Sequence, residues 1–444
     1  MNIVQSAKSR VAKFLAKHTK KGAPGWSYAD APDVRQTSKV QHPMSAILWA
    51  LELGLTSNQP TLRDVEYMTK QLDGFAKNLI PEPISDTTLD TEAQRLDCNY
   101  LHNHLIHRIR GFHRSKMLEP AGLPCGVITV DGKNLATLCH DADGSGHARS
   151  KQNEKWHAKK HADNRTEKSY YLMPALRATL TSAEAKLCVY QHTLPPGRGE
   201  ASEFAQTLEG LQDAYGRSNM FQIVDGDAGL TSFKNANVVV EKGYDYVFGL
   251  KGNQRELFDE AQALLLPLTQ TQKPEMETSW ESRDGKRIRR RLWRVPDLAG
   301  LENSVGKWTH LRQTWLVRQE TRGRNGIIQY ENRFFVTSLT WDFLTPVQIL
   351  LLVRNHWGVE VTFNNLDLQW REDAGPWCTQ GSAIWALAIL RLMAYNTAQL
   401  LRRRRLRQKR PDGTNKEPIS WRVLFKTIER SFELSFAEMS IPTA

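Results

Sequence analysis

The chain has 444 residues, 40% of them hydrophobic, which is enough for two or three packed units. It carries 60 Lys and Arg against 48 Asp and Glu, a net charge of +12, and such an excess favours a polyanionic partner, most simply a nucleic acid. Five scattered cysteines without a C-x-x-C pair argue against a disulfide framework or structural zinc site, and the absence of a long uninterrupted apolar run argues against a membrane span.

The N-terminal part divides into two segments. Residues 1–30 are basic and predict a flexible arm that touches phosphates. Residues 31–120 predict a helical domain associated with DNA binding, in which Thr61 is a plausible N-cap.

The pattern changes from residue 125 onward. Short β-forming runs predict strands at 127–130, 170–180, 186–194, 221–224 and 244–250. Helices are predicted at 200–215 and 230–241. This order predicts an α/β fold with a ribonuclease-H-like core, whose first three strands are antiparallel and whose later strands are added in parallel through helical crossovers.

The core is predicted to occupy residues 121–400 and to contain an insertion. Residues 265–344 alternate polar and apolar positions, which predicts a β-rich insertion. Helices are expected again at 345–370, opened by Thr345 and Pro346, and at 383–401. Residues 401–444 begin with an arginine run and are predicted to form a basic tail that contacts DNA phosphates.

Three acidic residues stand in distinctive settings. Asp131 and Asp227 each end a short apolar run, and Glu360 lies in a helix-like stretch. Two carboxylates at strand ends and a third on a later helix can converge, and three such groups can hold the two divalent cations of a phosphodiester-cleaving site. Magnesium suits this site because it prefers oxygen ligands and keeps water positions open.

Each acid has an alternative interpretation. Asp131 could be a turn former before Gly132. Asp225 would share a strand face with Asp227, but Asp227 is nearer to the carboxyl end of its strand, where sites form in α/β sheets.

For Glu360, the neighbours His356 and Trp357 share its helical face and predict a buried, oriented site. The sequence does not rank Glu360 decisively above the later acidic residues Asp367, Glu372 and Asp373. Lys251 and Asn253 follow a strand end, where a phosphate contact and a plain turn are equally favoured.

Several motifs occur in a fixed order: ITVDGK at 128–133, DAG at 227–229, LKGNQ at 250–254, HWGVE at 356–360 and RED at 371–373. Together with DVR at 33–35 and HP at 42–43, they resemble insertion-sequence DDE transposases of the ISAs-type branch. The family's catalytic acids correspond by motif to Asp131, Asp227 and Glu360. One departure is Val361, which stands where the family usually has Asn.

The resemblance implies a transposase that binds transposon ends and catalyses DNA cleavage and strand transfer, with two Mg²⁺ (or Mn²⁺) ions held by Asp131, Asp227 and Glu360. Its expected partners are double-stranded DNA, namely the terminal inverted repeats and the target, and a second copy of itself. It would act in the bacterial cytoplasm at the nucleoid, and no membrane would be involved. The expected DNA contacts are Lys133, Lys251, Asn253, His356, Trp357, Arg402, Arg403, Arg404 and Arg405. The alternatives are a ribonuclease-H-like nuclease without strand transfer and a DNA-binding protein that does not cut.

Overall fold

The structure is a computed structural model. It describes residues 3–18, 27–138, 149–150, 170–195, 197–283, 285–296, 308, 310–323, 326–373, 377–378, 381–409 and 416–434. Within these residues the chain is a mixed α/β protein, which confirms the predicted class.

The N-terminal part is helical. Its helices are α1 Ile3–His18, α2 Met44–Thr56, α3 Leu62–Lys70, α4 Gly74–Leu79, α5 Asp86–Ala93 and α6 Cys98–Arg114. Thr61 caps α3 as predicted, because its side chain accepts a hydrogen bond from the Asp64 backbone N–H. Almost all of α2 is buried, so it forms the centre of this helical layer.

Eleven of the strands in the described residues form one mixed sheet. They are β1 Val127–Leu138, β2 Arg149–Ser150, β3 Tyr170–Leu180, β4 Leu187–Thr193, β5 Ile223–Gly226, β6 Asp245–Leu250, β7 Met276–Glu277, β8 Glu281–Arg283, β9 Lys286–Val295, β10 Gln313–Arg322 and β11 Ile328–Thr337. The central order is β4-β3-β1-β5-β6. Strands β1, β3 and β4 pair antiparallel, whereas β5 pairs parallel with both β1 and β6, which are the directions predicted from the sequence.

Helices connect the parallel strands. Helix α7 Glu200–Tyr215 precedes β5, α8 Phe233–Glu241 lies between β5 and β6, and α9 Arg255–Thr271 follows β6. Parallel neighbours need such crossovers because a hairpin turn cannot join them. The carboxyl ends of β5 and β6 therefore meet at one edge of the sheet.

The predicted β-rich segment is part of the same sheet. Strand β11 pairs antiparallel with β6, and β10 and β9 extend the sheet beyond it. Residues 265–271 of this segment belong to α9 rather than to a strand. The strands β7–β11 therefore enlarge the central sheet on its β6 side.

The chain then returns to helix. Helix α10 Pro346–His356 starts with the expected cap, since Thr345 and Gln348 form a capping box with Pro346 in the first turn. Helix α11 Gly358–Gln369 follows after one residue and packs on β1 and β3. Helix α12 Gly381–Leu400 ends in a π-helical turn, Leu401–Arg405. One stretch of the described chain, Ser382–Arg404, has the length and apolar composition of a membrane span, but its most apolar part is buried inside the protein, as in a core helix.

The predicted flexible arm and the predicted basic tail both contain regular secondary structure where the structure describes them. Residues 3–18 of the expected arm form α1, whose Val11, Phe14 and Leu15 are buried in the core. The expected tail contains a small hairpin, β12 Arg407–Lys409 with β13 Lys416–Pro418, and helix α13 Trp421–Ser431, which packs against α1. Residues 1–2, 19–26, 410–415 and 435–444 lie outside the described part.

Candidate active site

The strand register places Asp131 and Asp227 side by side. In the parallel ladder Val130 pairs with Gly226, and the next residue of the chain after each of them is one of the two acids. Asp131 does not end its strand, because β1 continues to Leu138 against β3. The turn-former interpretation of Asp131 is therefore wrong, and the residue belongs to the rigid middle of the sheet.

The electrostatics of Asp131 reflect this proximity. Burial, together with the negative charge of Asp227, raises the pKa of Asp131 to about 7. The backbone N–H of Gly132 donates to Asp131 Oδ1 at 2.8 Å, and Leu230 N–H donates to Asp227 Oδ1 at 3.2 Å. Two carboxylates in partial burial repel one another, and this repulsion is what a bound cation relieves.

Asp225 has a different role from Asp227. It is buried on β5, where its Oδ2 accepts hydrogen bonds from Thr129 Oγ1 at 2.7 Å and from the His356 ring at 2.8 Å. Burial lowers the pKa of His356, but the charge of Asp225 and the hydrogen bond to it, with Asp131 and Asp227 adding to them, outweigh burial and raise that pKa to about 9. Asp225 therefore holds His356 beside the two acids as a cation.

Glu360 lies on α11, the helix that packs on β1 and β3. Helical hydrogen bonding resumes across the break between α10 and α11, where Val361 N–H donates to the Trp357 carbonyl at 3.1 Å. His356 and Asp367 lie four residues before and seven after Glu360, hence on the same helical stripe. His356 contacts Asp225 on β5 and Asp367 contacts Lys133 on β1, so the residues before and after Glu360 on this stripe face the sheet.

The environment of Glu360 differs from the expectation. Its side chain is exposed, whereas His356 and Trp357 were expected to place it in a buried setting. Trp357 is only partly buried, and the guanidinium carbon of Arg333 lies 4.0 Å from its ring centroid. The aromatic ring therefore contacts a strand of the enlarged sheet.

The competing acids have cation partners of their own. Arg177 makes a two-pronged contact with Glu372, with N–O distances of 2.7 and 2.8 Å, and both side chains are buried. Lys133 Nζ lies 2.6 Å from Asp367 and 3.3 Å from Asp373. Arg371 has a left-handed φ of 50°, which ends α11 and turns Glu372 and Asp373 back toward the sheet.

The expected DNA contact at Lys133 is not supported by this arrangement. Only 7% of the side chain is exposed, and its ammonium group already faces two carboxylates. A buried, paired lysine offers no surface to a phosphate, so Lys133 has a structural role here.

One acid of this region was missed at the sequence level. Glu200, the first residue of α7, packs against Gly132: a Cβ atom built there would lie 2.0 Å from Glu200 Oε1. Burial and the charge of Asp227 raise the pKa of Glu200. The available signal was a turn-rich Pro-Pro-Gly-Arg-Gly segment followed at once by an acid at a helix start.

Comparison with known families decides the assignment. A family model described as "Transposase DDE domain" matches residues 132–397, more than half of the chain. The chain belongs to the DDE transposase family. The match begins directly after Asp131 and includes Asp227 and Glu360.

A second similarity is shorter. The chain is 33% identical over 108 residues to a protein of Xanthobacter autotrophicus described as "Uncharacterized protein in dhlA 3'region". The alignment covers 24% of this chain and 36% of that protein, so the chain spans about a third of its relative. The name of that protein states no activity.

Membership of the DDE family implies that divalent metal ions bind at this site. The side chains present are suitable ligands for such ions. Within the described residues, no group of three or more His, Cys, Asp or Glu side chains is already arranged to hold a metal. The donor chemistry is nevertheless suitable, since the site offers hard carboxylate oxygens. Asp225 Oδ1 is buried without a hydrogen-bond partner, and the carboxylates of Asp131 and Asp227 lie close enough to repel one another.

The remaining expected DNA contacts of this DDE protein fall into two groups. Lys251 and Asn253 are exposed beside the acids, and Asn253 Nδ2 donates to the Ala228 carbonyl at 2.5 Å, which ties this loop to the one that carries Asp227. Asn253 therefore has a structural contact, and Lys251 remains available to a phosphate.

The arginine run is not a free tail. Arg402 Nε donates to the Ile419 carbonyl at 2.7 Å while its guanidinium lies 4.6 Å from the Trp421 ring centroid. Arg403 is partly buried, and Arg404 is exposed, with Nη2 donating to the Lys116 carbonyl at 2.9 Å. The side chain of Arg405 lies outside the described part. These contacts hold the run against the protein body.

Proposed function

We propose that this protein is the transposase of an insertion sequence of the ISAs-type branch. Its substrates are the inverted repeats at the ends of the element and a target DNA, both double-stranded, and it cuts and joins them. The observation that carries this proposal is the proximity of Asp131 and Asp227, which directly follow the last pair of the β1–β5 ladder, in a chain of the DDE family.

The core is proposed to be ribonuclease-H-like. The strand order β4-β3-β1-β5-β6, with three antiparallel strands followed by two parallel ones, supports this architecture. In this proposal one acid lies on β1, a second directly follows β5, and the third lies on α11, which packs on β1 and β3. The strands β7–β11 then lie beside the edge at which DNA would bind.

Asp131, Asp227 and Glu360 are the proposed metal ligands. Mg²⁺ or Mn²⁺, bound as a pair, would supply Lewis-acid chemistry that makes water or a DNA 3′-hydroxyl a stronger nucleophile and stabilises the leaving oxygen. Asp131 is held by the sheet and Asp227 directly follows β5, whereas Glu360 is exposed on the first turn of α11. The competing acids Asp367, Glu372 and Asp373 already pair with Lys133 and Arg177, which supports Glu360 as the third ligand.

His356 is proposed to face the DNA phosphate. Asp225 accepts one ring N–H, and a protonated ring keeps a second N–H on its other nitrogen for an anionic oxygen. The fixed pairing with Asp225 keeps the ring beside the two acids. His356 can therefore orient the phosphate without a covalent protein–DNA intermediate.

Two ends must be processed together, so we also propose a homo-oligomer on DNA and a location at the bacterial nucleoid in the cytoplasm. The excess of basic residues supports a polyanionic partner.

Purified variants test the proposal on duplex DNA that carries the inverted repeats flanking the coding sequence. Asp131→Asn, Asp227→Asn and Glu360→Gln should each lower Mg²⁺-dependent cleavage by roughly 10³-fold or more, because several kcal/mol of metal-based stabilisation is lost. Binding of the same DNA should persist. Asp259→Asn, which changes an exposed acid on α9, is the matched control and should cleave normally.

Joining assays separate the proposed transposase from a nuclease. Incubation of the end DNA with a supercoiled target should give joined products. Cleavage without any joined product would support the ribonuclease-H-like nuclease instead, and full cleavage by the Glu360→Gln protein would remove Glu360 from the site.

A further inference from the structure

Glu200 occupies an unusual place for a residue at a helix start. It is the first residue of α7, and its carboxylate rests on the backbone of Gly132, the residue that follows Asp131 on β1. A Cβ atom at position 132 would lie 2.0 Å from Glu200 Oε1 and 2.1 Å from Cδ. The missing side chain of Gly132 is therefore what allows the carboxylate to reach this point.

The neighbours of Glu200 are other acids. Among the described residues, the negative charge of Asp227 is the one that raises the pKa of Glu200. The charge of Glu200 in turn contributes to the raised pKa of Asp131. Glu203, in the same helical turn, shows the contrasting case. Its oxygens lie 2.6 Å from Arg198 Nε and 3.1 Å from His192 Nε2, so it is neutralised within the protein.

Helix capping alone does not account for this position. An acid in the first turn of a helix is stabilised by the helix dipole wherever its carboxylate points, including into water. Pointing instead toward Asp131 and Asp227 brings like charges together and costs free energy unless a cation joins them. Asp225 Oδ1, two residues before Asp227 in the chain, is buried without a hydrogen-bond partner, and this is a second sign that protein groups alone leave the site incomplete.

We propose that Glu200 is a fourth acidic residue of the active site and binds the divalent cation together with Asp131 and Asp227. This inference rests on the proposed metal-dependent function and adds a ligand contributed by α7. It also gives Gly132 a specific role, which is to leave room for the Glu200 carboxylate.

Mn²⁺ titration of the full-length protein without DNA tests the proposal, by calorimetry or by the electron paramagnetic resonance of free Mn²⁺. Glu200→Gln should weaken Mn²⁺ binding by about tenfold or more, the range typical of residues that support a metal site. Glu209→Gln, on the exposed face of the same helix, removes the same charge and should bind Mn²⁺ as the parent does.

The thermal midpoint of the metal-free protein provides an independent readout. If Glu200 acts only on the helix dipole, Glu200→Gln lowers this midpoint and leaves the increase caused by Mn²⁺ unchanged. If Glu200 belongs to the metal site, the substitution relieves repulsion, so the metal-free midpoint rises and the increase caused by Mn²⁺ becomes smaller. The two roles therefore predict opposite signs.

Gly132→Ala is a second variant that keeps the charge of Glu200. The new methyl group displaces the end of a flexible side chain, so the protein should fold while Mn²⁺ binding weakens. Adding Gly132→Ala to Glu200→Gln should cause little further loss, because both changes remove the same contact. Fully additive losses would contradict the proposal.

The failure of this inference can be distinguished from failure of the proposed function. Asp131→Asn should abolish specific Mn²⁺ binding. If it does and Glu200→Gln binds Mn²⁺ as the parent does, Glu200 is no ligand and the three-acid site remains. If neither change affects Mn²⁺ binding, the metal-dependent function fails, and the role of Glu200 fails with it.

Discussion

Two acidic clusters lie near neighbouring positions of β1 and differ in how their charge is balanced. In the first, Asp367, Glu372 and Asp373 face Lys133, Arg177 and Arg391, so three carboxylates interact with three cations. In the second, around Asp131, the residues Asp225, Asp227 and Glu200 bring the total to four carboxylates. The cation that faces this second cluster within the described residues is His356.

The contrast is sharpest at neighbouring positions of β1. Asp131 and Lys133 lie two residues apart on one face of the strand, but Lys133 faces two opposite charges, whereas Asp131 lies among like charges with His356 as its cation. Arg177 stands opposite Asp131 in the ladder yet donates to Glu372 and Gln191 instead. A cluster balanced internally stabilises the fold, whereas one left negative is suited to an external cation. We call these the paired cluster and the open cluster.

The largest expected effect comes from breaking the paired cluster. Arg177→Met leaves the Glu372 carboxylate, only 1% exposed, without its partner. We expect the free energy of unfolding to fall by about 3–5 kcal/mol, because an uncompensated charge remains buried. Urea unfolding followed by circular dichroism measures the loss.

A double replacement serves as the control for Arg177→Met. Arg177→Met with Glu372→Leu removes both charges and should recover much of the stability, since replacing a whole buried pair by apolar groups is often nearly neutral. No recovery would mean that the pair acts through its shape rather than its charge.

Lys133→Met is expected to have an intermediate effect. It removes the cation that pairs with Asp367 on α11. The free energy of unfolding should therefore fall by about 1–3 kcal/mol. Because α11 also carries Glu360, cleavage should fall while DNA binding and its salt dependence stay unchanged. Binding titrations over a range of salt concentrations check this, and a shallower salt slope would instead make Lys133 a phosphate contact.

Asp131→Asn should have an effect of the opposite sign. Burial and Asp227 raise the pKa of Asp131 from 3.8 to about 7, so between these values the folded protein binds more protons than the unfolded chain. The stability of the metal-free parent should therefore fall as pH rises from about 4 to 7. Asn removes this loss, and at pH 8 we expect the thermal midpoint to be about 2–4 °C higher than that of the parent.

Calorimetric scans without metal from pH 4 to 8 measure this difference. Arg177→Met provides the comparison, because it should be destabilised throughout the range. If the stability of the parent protein does not change between pH 4 and 8, burial and the neighbouring charges do not raise the pKa of Asp131 as proposed.

Much of the core was predictable because local patterns determine it. Buried runs such as Val127–Val130 and Ile223–Gly226 form strands wherever a sheet is available, and the Thr345-Pro346 start follows from capping chemistry. The same patterns located Asp131 and Asp227, since each acid follows a run of buried residues in the sequence.

The ends of the chain were predicted wrongly because the runs of charged residues received more weight than the helical spacing of the apolar residues. Helix α1 carries Val11, Phe14 and Leu15 at helical spacing, and α13 carries Leu424, Phe425 and Ile428, so each could bury an apolar stripe. The interaction of α1 with α13 joins residues more than four hundred positions apart, and only the folded chain shows it.

The sequence by itself therefore determined the class of the fold, the order and direction of its central strands, and the motifs that identify the family. The tertiary structure decided which charges are balanced. It paired Lys133 with Asp367, turned Arg177 away from Asp131, and brought Glu200 onto Gly132. The physical reason is that local patterns depend on neighbours along the chain, whereas the free energy of a buried charge depends on its neighbours in space.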